Sequence, residues 1–341
     1  MNGSIKRLVL SLLHIGGIFR LGRWLSRDRL IVLTYHKVLP GIVSDYARRP
    51  LNSVFAWEFE QQISYLRQHY HVVTGKEVQD FLTGQVSLPP HSVFITFDDG
   101  YENNYTEAFP ILTQYGVSAA FFLTTDLIGH KDSLLWFDRL DAVLAYADPM
   151  TLLHWLGTEK PSHNIQSEVQ LRRWIKSRSK VERDAMIAEL ESVFGHDENM
   201  IHQAPVSPMM TWSQAREMAD KGMTIGSHTA SHQILSSSPV AEVQMELEES
   251  RRRIEMEIGR PCWSFAYPNG SAADFRDLDK MMIRSAGYAC AFTQIPGFVD
   301  ETGDHYALPR ISVPDFCDFK VFLSYLSGIR HGLPGVLSPN S

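Results

Sequence analysis

The sequence predicts an α/β protein, an irregular (β/α) barrel of about seven to eight strands that carries a helical insertion. Three observations predict it. Short β-type runs alternate with segments of helical periodicity, the pattern of parallel strands joined by right-handed crossovers. Several of those runs end in residues that can do chemistry, as the carboxyl ends of barrel strands do. One long stretch, from about residue 130 to 208, has helical patterns and no strong strand signal.

The composition agrees with such a protein. The chain has 341 residues, 32 Lys+Arg against 39 Asp+Glu, a net charge of −7 and 44 % apolar residues. That is globular, and long enough to bury a sizeable core. The acidic balance argues against a nucleic-acid partner held by a global basic field. The 3 cysteines are widely spaced with no CxxC pair, so neither a disulfide framework nor a cysteine zinc site is expected. Histidine is abundant, with 14 residues.

Residues 1–29 form a basic segment, with Lys6, Arg7, Arg20, Arg23, Arg27 and Arg29 against Asp28 alone. The apolar run 8–19 is too short to span a bilayer, and no small-x-small cleavage site follows it. The segment fits an amphipathic helix lying on its own domain or on a membrane surface. The expected location is the cytoplasm, or the cytoplasmic face of a membrane through peripheral contact of residues 1–30.

Residues 30–314 make the barrel. Candidate strands are 31–35, 72–74, 92–97, 119–124, 223–227, 263–267, 288–293 and 307–313. Helical spacing runs through Phe55, Phe59, Ile63 and Leu66, then 105–115, 212–221, Val243 to Ile258, and 275–286. Thr211 and Gln214 have capping-box spacing, and Ser238-Pro239 can start the next helix. The insertion reads as two helical blocks, 134–154 and 168–194, suited either to shaping substrate access or to surface elaboration. Residues 315–341 read as a helix over 315–329, with Phe316, Phe319, Leu323 and Leu326 on one face, and a loose tail. Nothing in the sequence sets an oligomeric state.

The chemistry sits at strand ends. In Phe94-Ile-Thr-Phe-Asp-Asp-Gly-Tyr101 an apolar strand ends in two carboxylates. Both can enter one site only where the strand gives way to a turn, which Gly100 permits; Asp-Asp-Gly alone is also ordinary turn chemistry. In Gly226-Ser-His-Thr-Ala-Ser-His232 two histidines stand four apart, on one face if the segment makes a helical turn. Two imidazoles and one carboxylate are a three-donor set that leaves positions open for water and substrate, as catalytic sites do. Phe265-Ala-Tyr-Pro-Asn-Gly270 closes another strand with a turn, and Leu308-Pro-Arg-Ile-Ser-Val313 carries one arginine in an otherwise apolar strand.

Thr96–Tyr101, Ser227–His232 and Phe265–Gly270 resemble the first three motifs of the polysaccharide deacetylases, carbohydrate esterase family four, in the subset with a Phe-x-Tyr-Pro third motif. Thr211-Trp-Ser-Gln and Leu33-Thr-Tyr-His-Lys-Val38 are similar to family members too. The resemblance implies a distorted (β/α) barrel, a divalent metal that is usually zinc, and hydrolysis of N-acetyl groups on amino sugars, so an N-acetylated carbohydrate is the expected substrate. By motif position it implies that Asp99, His228 and His232 hold the metal and that Asp98 is the general base activating water there. Tyr101, Tyr267, Pro268 and Asn269 fall in the substrate-binding group, with the backbone N–H of Asn269 stabilising the oxyanion.

The chain departs from the family pattern in three places. Ala266 stands where an arginine usually steadies the catalytic aspartate, the fourth-motif Asp and Trp are not evident, and the late strand has no histidine to serve as acid. Arg310 is therefore expected to reach Asp98 from the late strand, or else to pair on the barrel's outside. His36, at the end of the first strand, is the first candidate acid and His305 the second. The expected activity is N-deacetylation of a polysaccharide or glycoconjugate. The alternatives are a deacylase such as a deformylase of a lipid-linked or nucleotide sugar, or a catalytically weak carbohydrate-binding relative.

Overall fold

The structure, a computed structural model, describes residues 17–41, 50–130, 133–159, 165–195, 207–315 and 318–328. Its centre is a parallel sheet. Strand β1 (Ile31–Tyr35) pairs with β5 (Ser92–Phe97), and the sheet continues through β6 (Ala120–Leu123), β7 (Thr224–Ser227), β8 (Ser264–Ala266) and β9 (Cys290–Phe292). Strand β10 (Ile311–Ser312) lies on the other side of β1. The eighth strand, β4 (His71–Val72), pairs with the first residues of β5, on the edge that β6 occupies further along. Strands β1, β5 and β6 are buried along their whole length, as parallel strands covered on both faces must be.

The sheet curls into the irregular barrel that the sequence predicts. Leu308 bridges Phe292 in β9, and Ile311 pairs with Leu33 in β1. One short segment thus touches both ends of the sheet, with Arg310 between the two contacts. Alternation along the strands sorts the side chains. Leu33, Ile95, Phe97 and Phe121 pack outward on the helical layer, including Phe59, Ile63 and Leu66 of α2 (Ala56–His69). Val32, Phe94, Phe122 and Phe292 form a second cluster with Val78, Phe81 and Leu82 of α3 (Gly75–Leu82). Phe94 and Phe122 both meet Phe292 from strands that are not its neighbours, at 6.1 and 5.5 Å, so this cluster fills the barrel interior.

Strand positions were legible and their lengths were not. The run expected at 307–313 pairs as a strand only at Ile311–Ser312, with the single bridge at Leu308. A two-stranded sheet, β2 (Lys37–Leu39) with β3 (Ser53–Phe55), went unanticipated because three-residue runs show no period. The outer helices include α4 (Phe109–Tyr115), α9 (Trp212–Asp220), α10 (Val240–Ile258) and α11 (Asp277–Ser285). Thr211 and Gln214 form the expected capping box, and α10 starts directly after Pro239.

The two helical blocks of the insertion are four helices: α5 (Trp136–Tyr146), α6 (Pro149–Glu159), α7 (Glu168–Lys176) and α8 (Lys180–Phe194). Pro149 cannot continue α5, because it lacks an N–H and its ring meets the preceding turn. Ser179 starts α8 with a capping box to Glu182. Leu140, Leu152, Leu171, Ile175, Ile187 and Leu190 give these helices a core of their own.

At the chain ends, residues 1–16 of the basic segment lie outside the described residues. Residues Ile18–Leu25 form α1, with Phe19 buried and Leu21, Trp24 and Leu25 exposed. No helix among the described residues is long and apolar enough to cross a membrane. The C-terminal helix α12 spans Phe319–Leu326, shorter than expected because Asp318 caps it, and Phe316 and the tail lie outside the described residues.

Gly226 in β7 is a packing constraint directly ahead of the histidine motif. A Cβ there would stand 2.5 Å from the Phe122 ring and 2.9 Å from Ser264 Oγ. Gly226→Ala is expected to lower stability by about 1–3 kcal/mol, read as a lowered denaturant midpoint at unchanged slope.

Candidate active site and metal centre

Strand β5 delivers both carboxylates. The Asp98 N–H still donates to Tyr35 O at 3.0 Å, so the ladder with β1 extends one residue past the strand. The backbone then turns left-handed at Asp99 (φ 78°) and Gly100 (φ 95°). This turn brings two adjacent side chains into one site, which a continuing strand forbids. Asp99 thus adopts, at a non-glycine residue, the conformation expected of Gly100 alone.

The two histidines converge by a different route from the one expected. They do not share a helical turn. The segment after β7 is a loop with left-handed residues at Thr229 (φ 66°) and His232 (φ 58°). Backbone bonds from Thr125 to Thr229 O and from Asp126 to Ala230 O tie it to the end of β6. From behind, Glu246 on α10 accepts the N–H groups of Ala230 and Ser231, each at 2.8 Å, and the Ser231 hydroxyl at 2.6 Å. Glu246 is the residue sequence reasoning missed here. It lies fourteen positions past His232 on a charged helix, where no local spacing marks it.

The result is a three-donor cluster, Asp99, His228 and His232, whose ligating atoms all lie within 4.8 Å of one another. His228 Nε2 is 3.5 Å and His232 Nε2 3.3 Å from Asp99 Oδ1. His228 Nδ1 lies 2.8 Å from the carbonyl of Ala266. A carbonyl only accepts, so Nδ1 carries a proton, and Nε2 is the nitrogen turned toward Asp99, the ligating atom of the neutral imidazole. Among the described residues, Asp99 Oδ2 is buried without a hydrogen-bond partner. Buried polar atoms are nearly always paired, and an anionic oxygen beside two imidazoles is the setting a divalent cation satisfies. The donors therefore fit a metal.

Asp98 stands beside this cluster in a different setting. Arg310 donates from Nη1 to Oδ1 at 2.8 Å and from Nη2 to Oδ2 at 2.6 Å. Two of its remaining donors hold Thr293 O at 2.8 Å and Thr96 Oγ1 at 3.1 Å. Both charges are essentially sealed from solvent, at 0 % and 1 % exposure. Burial works against the carboxylate, but the Arg310 guanidinium overrides it, with His228 and His36 adding to the effect, and holds the Asp98 pKa below its ordinary value. Gln294 adds a third bond, to Oδ2 at 3.1 Å. Gln294 was also missed, although it directly follows the run expected at 288–293 and so shares the strand-end signal.

The other expected residues divide. His36 and Asn269 line the same cleft as Asp98, Asp99, His228 and His232, a cavity of about 330 Å³. Pro268 does not line it; its carbonyl closes the turn by accepting from Gly270 at 2.7 Å. Tyr101 and Tyr267 do not line it either. The Tyr101 hydroxyl is buried and donates to Asp138 at 2.8 Å. Tyr267 stacks on Phe275 at 4.2 Å and donates to Tyr306 O at 2.8 Å. Both phenols are spent on internal partners, so both are corrected from substrate contacts to supports. His305, the second candidate acid, is not among the cleft residues.

The family profile of the polysaccharide deacetylases matches residues 85–290, which span both carboxylates and both histidines. The chain belongs to the polysaccharide deacetylase family. YxkH of Bacillus subtilis (strain 168) is 22 % identical over 311 residues, 90 % of this chain and 80 % of that protein. The poly-β-1,6-N-acetyl-D-glucosamine N-deacetylase of Staphylococcus epidermidis is 37 % identical over 129 residues, 34 % of this chain and 44 % of that one. The fold matches the Streptococcus pyogenes deacetylase PplD (TM-score 0.60, 17 % identity, 88 % of this chain and 99 % of that one). It also matches IcaB from Ammonifex degensii (TM-score 0.56, 22 % identity, 88 % and 97 %). Deacetylases of this family are generally metal-dependent, in keeping with the donor cluster.

Because Glu246 holds the strained loop that presents both imidazoles, Glu246→Ala is expected to weaken divalent-cation binding about 10- to 100-fold. Calorimetric titration of zinc into the purified variant, with circular dichroism to verify the fold, checks this.

Proposed function

We propose that this polysaccharide deacetylase family member is a metal-dependent hydrolase that removes N-acetyl groups from amino sugars. The observation that carries the reading is the pairing, on adjacent residues, of a carboxylate in a metal-donor cluster with one held outside it by an arginine. A divalent cation at Asp99, His228 and His232, zinc on the strength of this donor set, would supply Lewis-acid polarisation of the amide carbonyl and a lowered pKa for the attacking water.

The chain's own residues do the rest. Asp98 is the base. A carboxylate has about four lone-pair positions, and the Arg310 and Gln294 contacts take three of them, leaving one for the proton of the attacking water. The same contacts fix the carboxylate plane, so Asp98 needs no reorganisation as the proton moves. Arg310 acts through Asp98 and is a positioning residue. The backbone N–H of Asn269 stabilises the negative charge that develops on the carbonyl oxygen as water adds to the carbon. His36 donates the proton that the leaving amine requires. The names of the staphylococcal relatives make an N-acetylglucosamine polymer the first substrate to try.

Asp98→Asn is expected to lower acetate release from an N-acetylglucosamine oligomer by about 10²- to 10⁴-fold while zinc binding persists. Unchanged release from that variant contradicts the assignment. Removing metal with a chelator should abolish release, and restoring zinc should return it. Activity that survives chelation removes the metal from the reaction.

A further inference from the structure

The cleft has walls of two origins. One comes from the strand ends of the barrel. The other comes from the helical insertion, through Trp136, Phe137, Asp141, Arg172 and Lys176. We infer that the insertion is a substrate-reading wall, built to hold the neutral sugar unit next to the one that loses its acetyl group. This rests on the proposed deacetylase reading and extends it: the substrate is an oligomer gripped beyond its reacting residue.

The insertion is fixed to the barrel at two places, each beside a site motif. At the inner end, Asp138 on α5 is buried and takes the Lys37 ammonium at 2.5 Å on one oxygen and the Tyr101 hydroxyl at 2.8 Å on the other. Lys37 directly follows His36, and Tyr101 stands two residues after Asp99. The Lys37 ammonium also sits over the Tyr101 ring at 4.9 Å. Leaving any member of such a buried charged cluster unpaired is costly, so the cluster sets one position for α5. That position brings Phe137 edge-on to His232 at 5.3 Å. At the outer end, Lys176 on α7 reaches Asp274 at 3.0 Å. Asp274 is buried and holds the turn after Asn269-Gly270 through the N–H and hydroxyl of Ser271.

Between these anchors the wall offers the chemistry that a sugar ring needs. Phe137 gives an apolar surface for C–H groups. Arg172 is held by Asp141 and by Glu168, which together engage three of its N–H groups. A guanidinium has about five such donors, so two remain for hydroxyls. Each cation on this wall is already paired, Arg172 with Asp141 and Glu168, and Lys176 with Asp274. A wall that holds its positive charge against carboxylates suits a neutral polyhydroxylated ligand over an anionic one.

The test is calorimetric binding of N-acetylglucosamine monomer and β-1,6-linked tetramer to zinc-loaded full chain, paired with acetate release from both. The expected result is tetramer binding at least tenfold tighter than monomer binding. Arg172→Ala and Phe137→Ala should then raise the tetramer Kd about tenfold, and by a factor well above their effect on the monomer. Equal weakening of both ligands assigns these residues a structural role and overturns the inference, as does unchanged tetramer affinity or no tetramer binding. Tetramer binding that obeys the expected pattern without acetate release sustains the wall and overturns the deacetylase reading. Acetate release with unaltered variants does the reverse.

Discussion

The site depends on one buried ion pair, Arg310 with Asp98. Moving a carboxylate and a guanidinium out of water costs several kcal/mol each, and the pair is tolerated only when geometry and hydrogen bonding are complete. Here both Asp98 oxygens are engaged, and two further N–H groups of the arginine reach Thr293 and Thr96. Arg310 belongs to the segment that contacts β9 through Leu308 and β1 through Ile311. The residue that orients Asp98 therefore sits where the two ends of the sheet meet. Removing one partner would strand the other charge, at a cost of about 3–5 kcal/mol.

The second constraint is backbone strain concentrated around the cleft. Among the described residues, the non-glycine positions with positive φ include Asn52, Asp99, Thr229, His232 and Asn269. All except Thr229 line the cleft, and Thr229 stands between the two histidines. Each such residue costs on the order of 1 kcal/mol or more and persists only where its surroundings over-determine it. Glu246 supplies that for the histidine loop, and the bonds from Thr125 and Asp126 supplement it. The unpaired Asp99 Oδ2 sits at the point this strain serves.

What the sequence made legible is what its local patterns encode. Apolar runs ending in Asp98-Asp99 and in the His228–His232 motif gave the barrel, its carboxyl face and the donor set. The lone arginine of an apolar strand pointed to the Asp98 contact. Spacing could not show that the histidine pair is carried by a loop, because four residues fit one face of a helix as well as a strained turn. It could not show that Tyr101 and Tyr267 face inward, because a tyrosine beside a motif reads alike whether its hydroxyl meets substrate or a buried acceptor. Lys37 and Asp138 lie 101 positions apart, and Gln294 and Asp98 196 apart. Periodicity carries no information on which polar groups meet over such separations. The choice between shaping substrate access and elaborating the surface stayed open for the insertion for the same reason, since its anchors are long-range.

On the proposed reading, Arg310 orients the base and leaves the metal donors to hold their ion independently. The direct measurement is kcat for acetate release together with zinc affinity on one preparation of Arg310→Lys, which keeps the charge but loses the planar fork. The expected result is a kcat lower by about 100-fold with zinc affinity within about threefold of the unmodified protein. An unchanged kcat, or a kcat that falls only in step with lost zinc, would contradict it.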